Sequence, residues 1–219
     1  MPAIQKNGVI KNCSFLENSL TSSTYTITGT LTNDNGVFSD FSAANYITTN
    51  ASIGPFSDKF EIHGSCVTGS DVTTEQYVFC TSVRGISIKV VSSRFYLSEA
   101  PNGNNGGWTN AIGSAAGTVI ANTKYYFDVI SDNTKWYFYS NGILLATLTV
   151  VTGSATTSTF GFGNHLPTKV SPFTGQIDLK DWTVEIAGET VWSGVDAYLQ
   201  NSKAKIGKNF ASSNIFYEI

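Results

Sequence analysis

Three polar side chains in the stretch PFTGQIDLKDWTVEIAGETVW (172–192) are spaced as if for work on a glycosidic bond: Gln176, Asp178 and Asp181. Retaining hydrolysis of that bond needs two carboxyl groups about 5–5.5 Å apart, one as nucleophile and one as acid. The residues present suit that chemistry poorly. Gln176 carries an amide that neither ionises nor attacks well, and Asp181 is one methylene shorter than a glutamate acid would be. Ile177 and Leu179 share one parity, whereas Trp182, Val184 and Ile186 share the other. If all five face a core, one extra residue, a β-bulge, sits near Lys180-Asp181. The three polar residues then project together from the outer face of one strand, which is the reading the residues favour.

Other reactive groups are few. His63 falls in an alternating segment, opposite in parity to Phe60 and Ile62, and reads as outward-facing. His165 follows Gly-Phe-Gly-Asn and precedes Pro167, so it belongs on a loop, as a binding contact or as a solvated side chain. Neither histidine has metal-ligand spacing. No Gly-x-Ser-x-Gly elbow or phosphate-cradling loop occurs. Asp132-Asn133 and Asn33-Asp34-Asn35-Gly36 offer oxygens suited to calcium, but the same residues make turns for backbone reasons, so no cofactor is expected and a structural calcium stays open. Trp108 is a better candidate for binding. Sugar rings present apolar faces on which an indole stacks while amides bond the hydroxyls. Asn102, Asn104, Asn105 and Asn110 surround Trp108 in sequence. A ligand site of Trp108, Asn104, Asn105, Asn110 and His165 is therefore expected, with packing of Trp108 over an edge as the alternative.

The elements that would position these groups are strands. Period-two alternation marks Thr24 to Leu31, Lys59 to His63, Gln76 to Cys80, Ile86 to Val91, Arg94 to Ser98 and Lys124 to Ile130. Lys135 to Tyr139 and Ile143 to Thr149 flank Asn141-Gly142, the strongest local hairpin signal. Thr159 to Gly163, Gln176 to Ile186 and Glu189 to Trp192 complete the series, and no amphipathic helix stands out. Residues 100–117 are too rich in Gly and Asn for a core strand and predict a long loop. Trp136, Trp182 and Trp192 sit in strand patterns and predict packing roles.

The totals agree with an all-β domain. The chain has 219 residues, 41% hydrophobic and only 13% charged, with a net charge of −3. That balance opposes capture of nucleic acid or anionic membranes. Cys13, Cys66 and Cys80 fit neither a zinc knuckle nor a redox pair and read as small buried thiols, with a Cys66–Cys80 bridge between neighbouring strands as the alternative. The N-terminus lacks an apolar signal core, and no run approaches the ~20 residues that span a bilayer, so synthesis in a cytoplasm is expected.

The runs YYFDVISDNTKWYFYSNGILLATL and FTGQIDLKDWTVEIAGETVWSG, with FSDFSAANYITTN at 38–50, resemble the concanavalin A-like jelly roll in its laminin-G-like form. More narrowly, they are similar to the version found in bacteriophage fibre and other particle proteins. The resemblance covers roughly residues 37–194, leaving an N-terminal arm, partly strand, at 1–36 and a C-terminal tail at 195–219. The acidic loop clusters that hold metals in legume lectins are not visible, and the β-glucanases of this fold place Glu-x-Asp-x-x-Glu where this chain has Gln176, Asp178 and Asp181. The resemblance implies an antiparallel two-sheet sandwich in a non-catalytic phage fibre or decoration subunit. Its partners would be a host-surface glycan or receptor, other virion proteins and copies of itself in a trimer, with no nucleic acid and no membrane insertion. Its location would be the virion. A purely structural assembly module is the alternative, and a glycan hydrolase or lyase using Asp178 or Asp181 is the third reading.

Overall fold

The computed structural model describes residues 23–53, 59–82, 85–100, 110–115, 117–132, 134–149 and 158–202. In chain order the strands are β1 (Tyr25–Thr28), β2 (Thr32–Asp34), β3 (Val37–Ser39), β4 (Tyr46–Ile53), β5 (Phe60–Val67), β6 (Gln76–Thr81), β7 (Gly85–Val91) and β8 (Arg94–Ala100). Next come β9 (Asn110–Gly113), β10 (Lys124–Ser131), β11 (Lys135–Ser140), β12 (Ile143–Thr149), β13 (Ser158–Phe162) and β14 (Ile177–Asp178). A single 3₁₀ turn (Leu179–Asp181) leads to β15 (Thr183–Ile186) and β16 (Glu189–Ser193). A helix, α1, occupies 194–202.

Alternation builds two layers. In β10, Tyr125, Phe127 and Val129 turn inward while Lys124, Tyr126 and Asp128 turn outward. One sheet runs β1-β4-β13-β6-β7-β8-β9, the other β12-β11-β10-β5-β15-β16, and a small third sheet runs β14-β3-β2. Every recorded strand pairing is antiparallel. The chain is thus an antiparallel two-sheet β-sandwich. The β11–β12 hairpin closes at Asn141-Gly142, where φ values of 50° and 75° meet the type I′ requirement.

Between the sheets lies an aromatic core with Trp182 at its centre. The indole stacks on Phe79 at 5.6 Å and meets Phe162 edge-on at 5.0 Å, both from the seven-stranded sheet. From the other sheet Phe127 contacts it at 6.4 Å, and its Nε1 donates to the Ser65 carbonyl at 2.9 Å. Trp192 packs on Phe160 and Phe162 and donates to the Thr24 carbonyl, and Trp136 meets Phe60 edge-on at 5.0 Å. All three tryptophans are fully buried, as their strand patterns predict.

The structure departs from the sequence reading in several places. The expected continuous strand from Gln176 to Ile186 is two short strands in different sheets, because the 3₁₀ turn interrupts it. The extra residue near Lys180-Asp181 exists, but as a turn, which Trp182 N closes by donating to the Leu179 carbonyl. The loop expected at 100–117 contains β9, an edge strand that pairs with β8 and lies beside β12. A helix occurs where none was expected. Ser193 Oγ accepts from Asp196 N at its start, and Asn201 Nδ2 donates to the Tyr25 carbonyl near its end. β1 and β2 fall within the 1–36 arm, which was expected to be partly strand, and are hydrogen-bonded into the sheets. Cys66 and Cys80 are free and buried; burial pushes the Cys66 thiol upward and that of Cys80 up to about 12. Cys13 lies outside the described residues.

The position of Trp182 depends on Gly64. A Cβ built there would stand 2.1 Å from an indole carbon of Trp182. Gly64→Ala should therefore lower unfolding free energy by about 2 kcal/mol, the usual scale of overpacking in a filled core. Urea titration would measure this, and an unchanged midpoint would show that the indole has room to retreat.

Candidate functional site

The outward residues of the six-stranded sheet are brought together by register. One row crosses the sheet as Thr147, Tyr137, Ile130, Glu61 and Glu185. The next reads Leu144, Tyr139, Asp128, His63, Thr183 and Ser193. A third pairs Tyr126 with Ser65, and a fourth Lys124 with Val67. Neighbouring strands lie about 4.8 Å apart, so three tyrosines and several carboxylates share one surface.

Specific contacts fix this surface. His63 Nδ1 lies 2.7 Å from Asp128 Oδ1, and Nε2 lies 3.3 Å from Glu61 Oε2. Asp181 accepts from Ser65 Oγ and, at 3.0 Å, from Lys124 Nζ. That bond to Asp181 raises the Lys124 pKa. The same ammonium sits 4.8 Å from the ring centroid of Tyr126, whose backbone N–H donates to Asn141 Oδ1. Tyr126 is 52% exposed, and Ile143 and Leu144 beside it at the hairpin end are 68% and 48% exposed. Tyr137 donates its phenolic proton to Asp132 Oδ2 at 2.9 Å.

The expected common face of Gln176, Asp178 and Asp181 is not formed. Asp178 uses its carboxylate to cap the 3₁₀ turn, accepting from Lys180 N, with Lys180 Nζ 3.9 Å away. Gln176 is exposed and pairs through its backbone with Val67. Asp181 alone reaches the outer face of the six-stranded sheet, where Ser65 and Lys124 hold it. His63 meets the outward placement its parity predicted, half-buried between carboxylates. Ser65 is turned to Asp181 rather than to His63, so no serine–histidine pair is assembled there.

His165 differs from both readings of it as a loop side chain open to solvent. It is only 5% exposed, because the segment after β13 folds back over the outer face of the seven-stranded sheet. Its ring packs on Tyr77 at 4.6 Å and Nδ1 is hydrogen-bonded with Thr168 Oγ1. Leu166, Tyr77 and Cys80 form a small second core there, with Tyr46 against it. Burial lowers the His165 pKa. Trp108, Asn104 and Asn105 lie outside the described residues, as does Asn102. Asn110 is described as the first residue of β9, paired with Glu99. β6, β7 and β8 separate β9 from β13, so the structure does not bring Asn110 and His165 together.

The described residues of the two calcium-like clusters make turn contacts, Asn133 lying outside them. Asn33 Oδ1 accepts from Gly36 N, and Asp132 Oδ1 accepts from Thr134 N and Lys135 N. The Thr134 hydroxyl, which also donates to Oδ1, and then those backbone bonds hold the Asp132 carboxyl well below the usual carboxylate range. Among the described residues, no group of three or more His, Cys, Asp or Glu is placed to hold a metal ion. No helix among them is long and apolar enough to cross a membrane.

No protein-family model and no curated protein matches the chain. Solved structures do share its fold. The receptor-binding domain of botulinum neurotoxin C/D mosaic serotype is similar over 92% of this chain and 50% of its own, with a TM-score of 0.59 and 10% identity. A structure described as "Cell entry of botulinum neurotoxin type C is dependent upon interaction with two ganglioside molecules" gives 0.56 and 15% identity, with 92% and 50% coverage. The binding domain of botulinum neurotoxin DC in complex with rat synaptotagmin II gives 0.57 and 13%, with the same coverage. The chain thus spans about half the length of these neighbours, and the likeness establishes a shared β-sandwich fold.

The burial of His165 has a consequence for acid stability. With its folded-state pKa lowered, the unfolded chain binds the extra proton. The stability this group contributes is whole above the unfolded value of about 6.5 and is lost as pH falls below it. The unfolding free energy of the native protein should therefore drop between pH 7.5 and 5 by more than that of His165→Asn. Denaturant titrations at several pH values would test this, and parallel curves for the two proteins would contradict it.

Proposed function

We propose that the chain is a non-catalytic, lectin-like recognition module that binds surface carbohydrate through the outer face of its six-stranded sheet. The observation that carries this reading is the assembly of Tyr126, Tyr137 and Tyr139 beside Asp128, His63, Ser65 and Asp181 on one open surface. Aromatic rings offer stacking area to the apolar faces of sugars, and fixed carboxylates accept their hydroxyl protons. Neighbours of the same fold, described as receptor-binding domains and in one case in connection with gangliosides, support the reading by analogy. The absence of catalysis is argued from roles: Asp178 caps a turn, Asp181 is tied to Lys124 and Ser65, and Gln176 is an amide. In keeping with the resemblance in its sequence, the module would be displayed on a bacteriophage particle, as a fibre or decoration subunit assembled after cytoplasmic synthesis. Trp108 with Asn104, Asn105 and Asn110 would form a second contact region.

A particle-building role is favoured by a different observation. Val195 and Leu199 stand one turn apart on α1 and are 44% and 38% exposed. If they make subunit contacts, Leu199→Lys should lower the mass of any oligomer seen by light scattering and leave the unfolding midpoint unchanged.

The carbohydrate reading is tested on a glycan array with the full chain, Tyr126→Ala and Trp108→Ala. Tyr126→Ala should weaken binding roughly tenfold, equivalent to about 1.4 kcal/mol, with the fold retained by circular dichroism. An array on which the native chain binds nothing, or a Tyr126→Ala protein that binds as tightly as the native one, would sink the reading.

A further inference from the structure

We propose that residues 163–173 form an acid-released flap: protonation of His165 lifts this loop off the outer face of the seven-stranded sheet while the sandwich beneath stays folded. The device is independent of what the six-stranded sheet binds.

The loop is built to move as a unit. Its ends meet, because Phe173 N donates to the Gly163 carbonyl at 3.0 Å, and Phe173 is buried in the main core. Gly163, at φ 81°, is wedged against Phe41, where a Cβ would stand 2.0 Å from a ring carbon. With both attachment points fixed, a compact loop of this kind can open without disturbing the strands that carry it. Beyond Phe162, where β13 stops, the loop takes that strand's place beside β6. Gly163 N donates to the Val78 carbonyl and Tyr77 N to the Ser171 carbonyl, both at 3.1 Å. Lys169 and Ser171 hold φ values of 59° and 61°, a left-handed conformation disfavoured for such residues, so closure stores strain.

Apolar contact holds the flap down. Leu166 packs with Tyr77 and Cys80, the His165 ring lies 4.6 Å from that of Tyr77, and Lys169 Nζ rests 4.3 Å from the Tyr46 ring centroid. His165 is the weak point of this contact. Around it stand Tyr77 of β6 with Cys80 in the same cluster, Glu75 from the turn before β6, Lys89 of β7, and Thr168 and Lys169 of the loop itself. Two lysines thus face one carboxylate, and Lys89 is already bonded to Glu75 at 2.5 Å. Burial first, then both cations, oppose a second proton on the ring, and Glu75 favours it. In the open loop the imidazolium is hydrated and escapes that environment, so proton binding favours opening. The flap is therefore held above the ordinary histidine value of about 6.5 and released as pH falls below it, by up to about tenfold per pH unit for one proton.

The test follows amide hydrogen exchange of the full chain by mass spectrometry at pH 7.5, 6.5 and 5.5, with rates corrected for the intrinsic effect of pH. Peptides covering 163–173 and Tyr77 should exchange up to about tenfold faster at pH 5.5 than at 6.5, whereas those of β10 should not change. Labelling of Cys80 by a thiol reagent, scaled to a free peptide thiol, should rise with it, and Cys66 on β5 should stay closed. His165→Gln should exchange alike at all three pH values, whether its loop is open or shut. His63→Gln, which removes the other histidine of the chain, should keep the acid response. Unchanged protection of 163–173 in acid overturns the inference. So does acceleration that spreads equally to β10 and Cys66, which is unfolding of the whole sandwich, and so does an acid response that survives in His165→Gln.

Discussion

The architecture depends on one wedge, the indole of Trp182 driven between the two sheets. It stacks on Phe79 from one layer, touches Phe127 from the other and bonds the Ser65 carbonyl through Nε1. A tryptophan at that depth needs a partner strand without a side chain at the crossing, which Gly64 supplies. It also needs the chain to change parity just before it. The 3₁₀ turn does this, burying Leu179 on one side and Trp182 on the other while Asp181 is left pointing outward. Core and surface are therefore set by the same three residues. The carboxylate that meets Ser65 and Lys124 is outside because the indole is inside.

Local features of the fold were legible in the sequence, and long-range ones were not. The Asn141-Gly142 hairpin, the inward tryptophans and the parity break near Lys180 all follow from φ preferences and period-two patterning, which act over a few residues. The form of the break was not legible, since a bulge and a 3₁₀ turn both add one residue. What decides is the Asp178 side chain accepting from Lys180 N, a capping contact within the turn. The helix at 194–202 did announce itself, in Ser193 and Asp196 placed as a capping pair, but its apolar stripe is too short for periodicity to show. The candidate surface was hidden for a different reason. Alternation marked His63 as outward, yet His63 and Asp128 meet only because β5 pairs with β10, 65 residues later in the chain. No local signal encodes that pairing.

The two outer faces are treated unlike one another. On the seven-stranded sheet, residues 163–171 lie across the surface, with Gly163 N donating to Val78 and Tyr77 N to Ser171. That cover buries Tyr77, Cys80 and His165 and turns an outer face into a second small core. The histidine most plausibly free on sequence grounds is thereby consumed by packing. On the six-stranded sheet the corresponding tyrosines stay partly open, with polar partners at their edges instead of a loop above them. Cover over part of one face leaves the six-stranded sheet with the more exposed ring, Tyr126.

This division also explains why a shared fold carries so little of the ligand. Neighbours at 10–15% identity keep the sandwich with TM-scores of 0.56–0.59. Identity that low is compatible with one fold because inward positions need only apolar bulk in the right alternation, a requirement many sequences meet. Outward positions carry no such constraint, and their charges and rings are free to differ between proteins that fold alike. What sets this chain's outer face apart is therefore carried by residues such as Tyr126, Tyr139, Asp128, His63, Glu61 and Glu185 themselves. Their hydrogen bonds hold two of the carboxylates around one imidazole and leave a third opposite, so the surface is polarised before any ligand arrives.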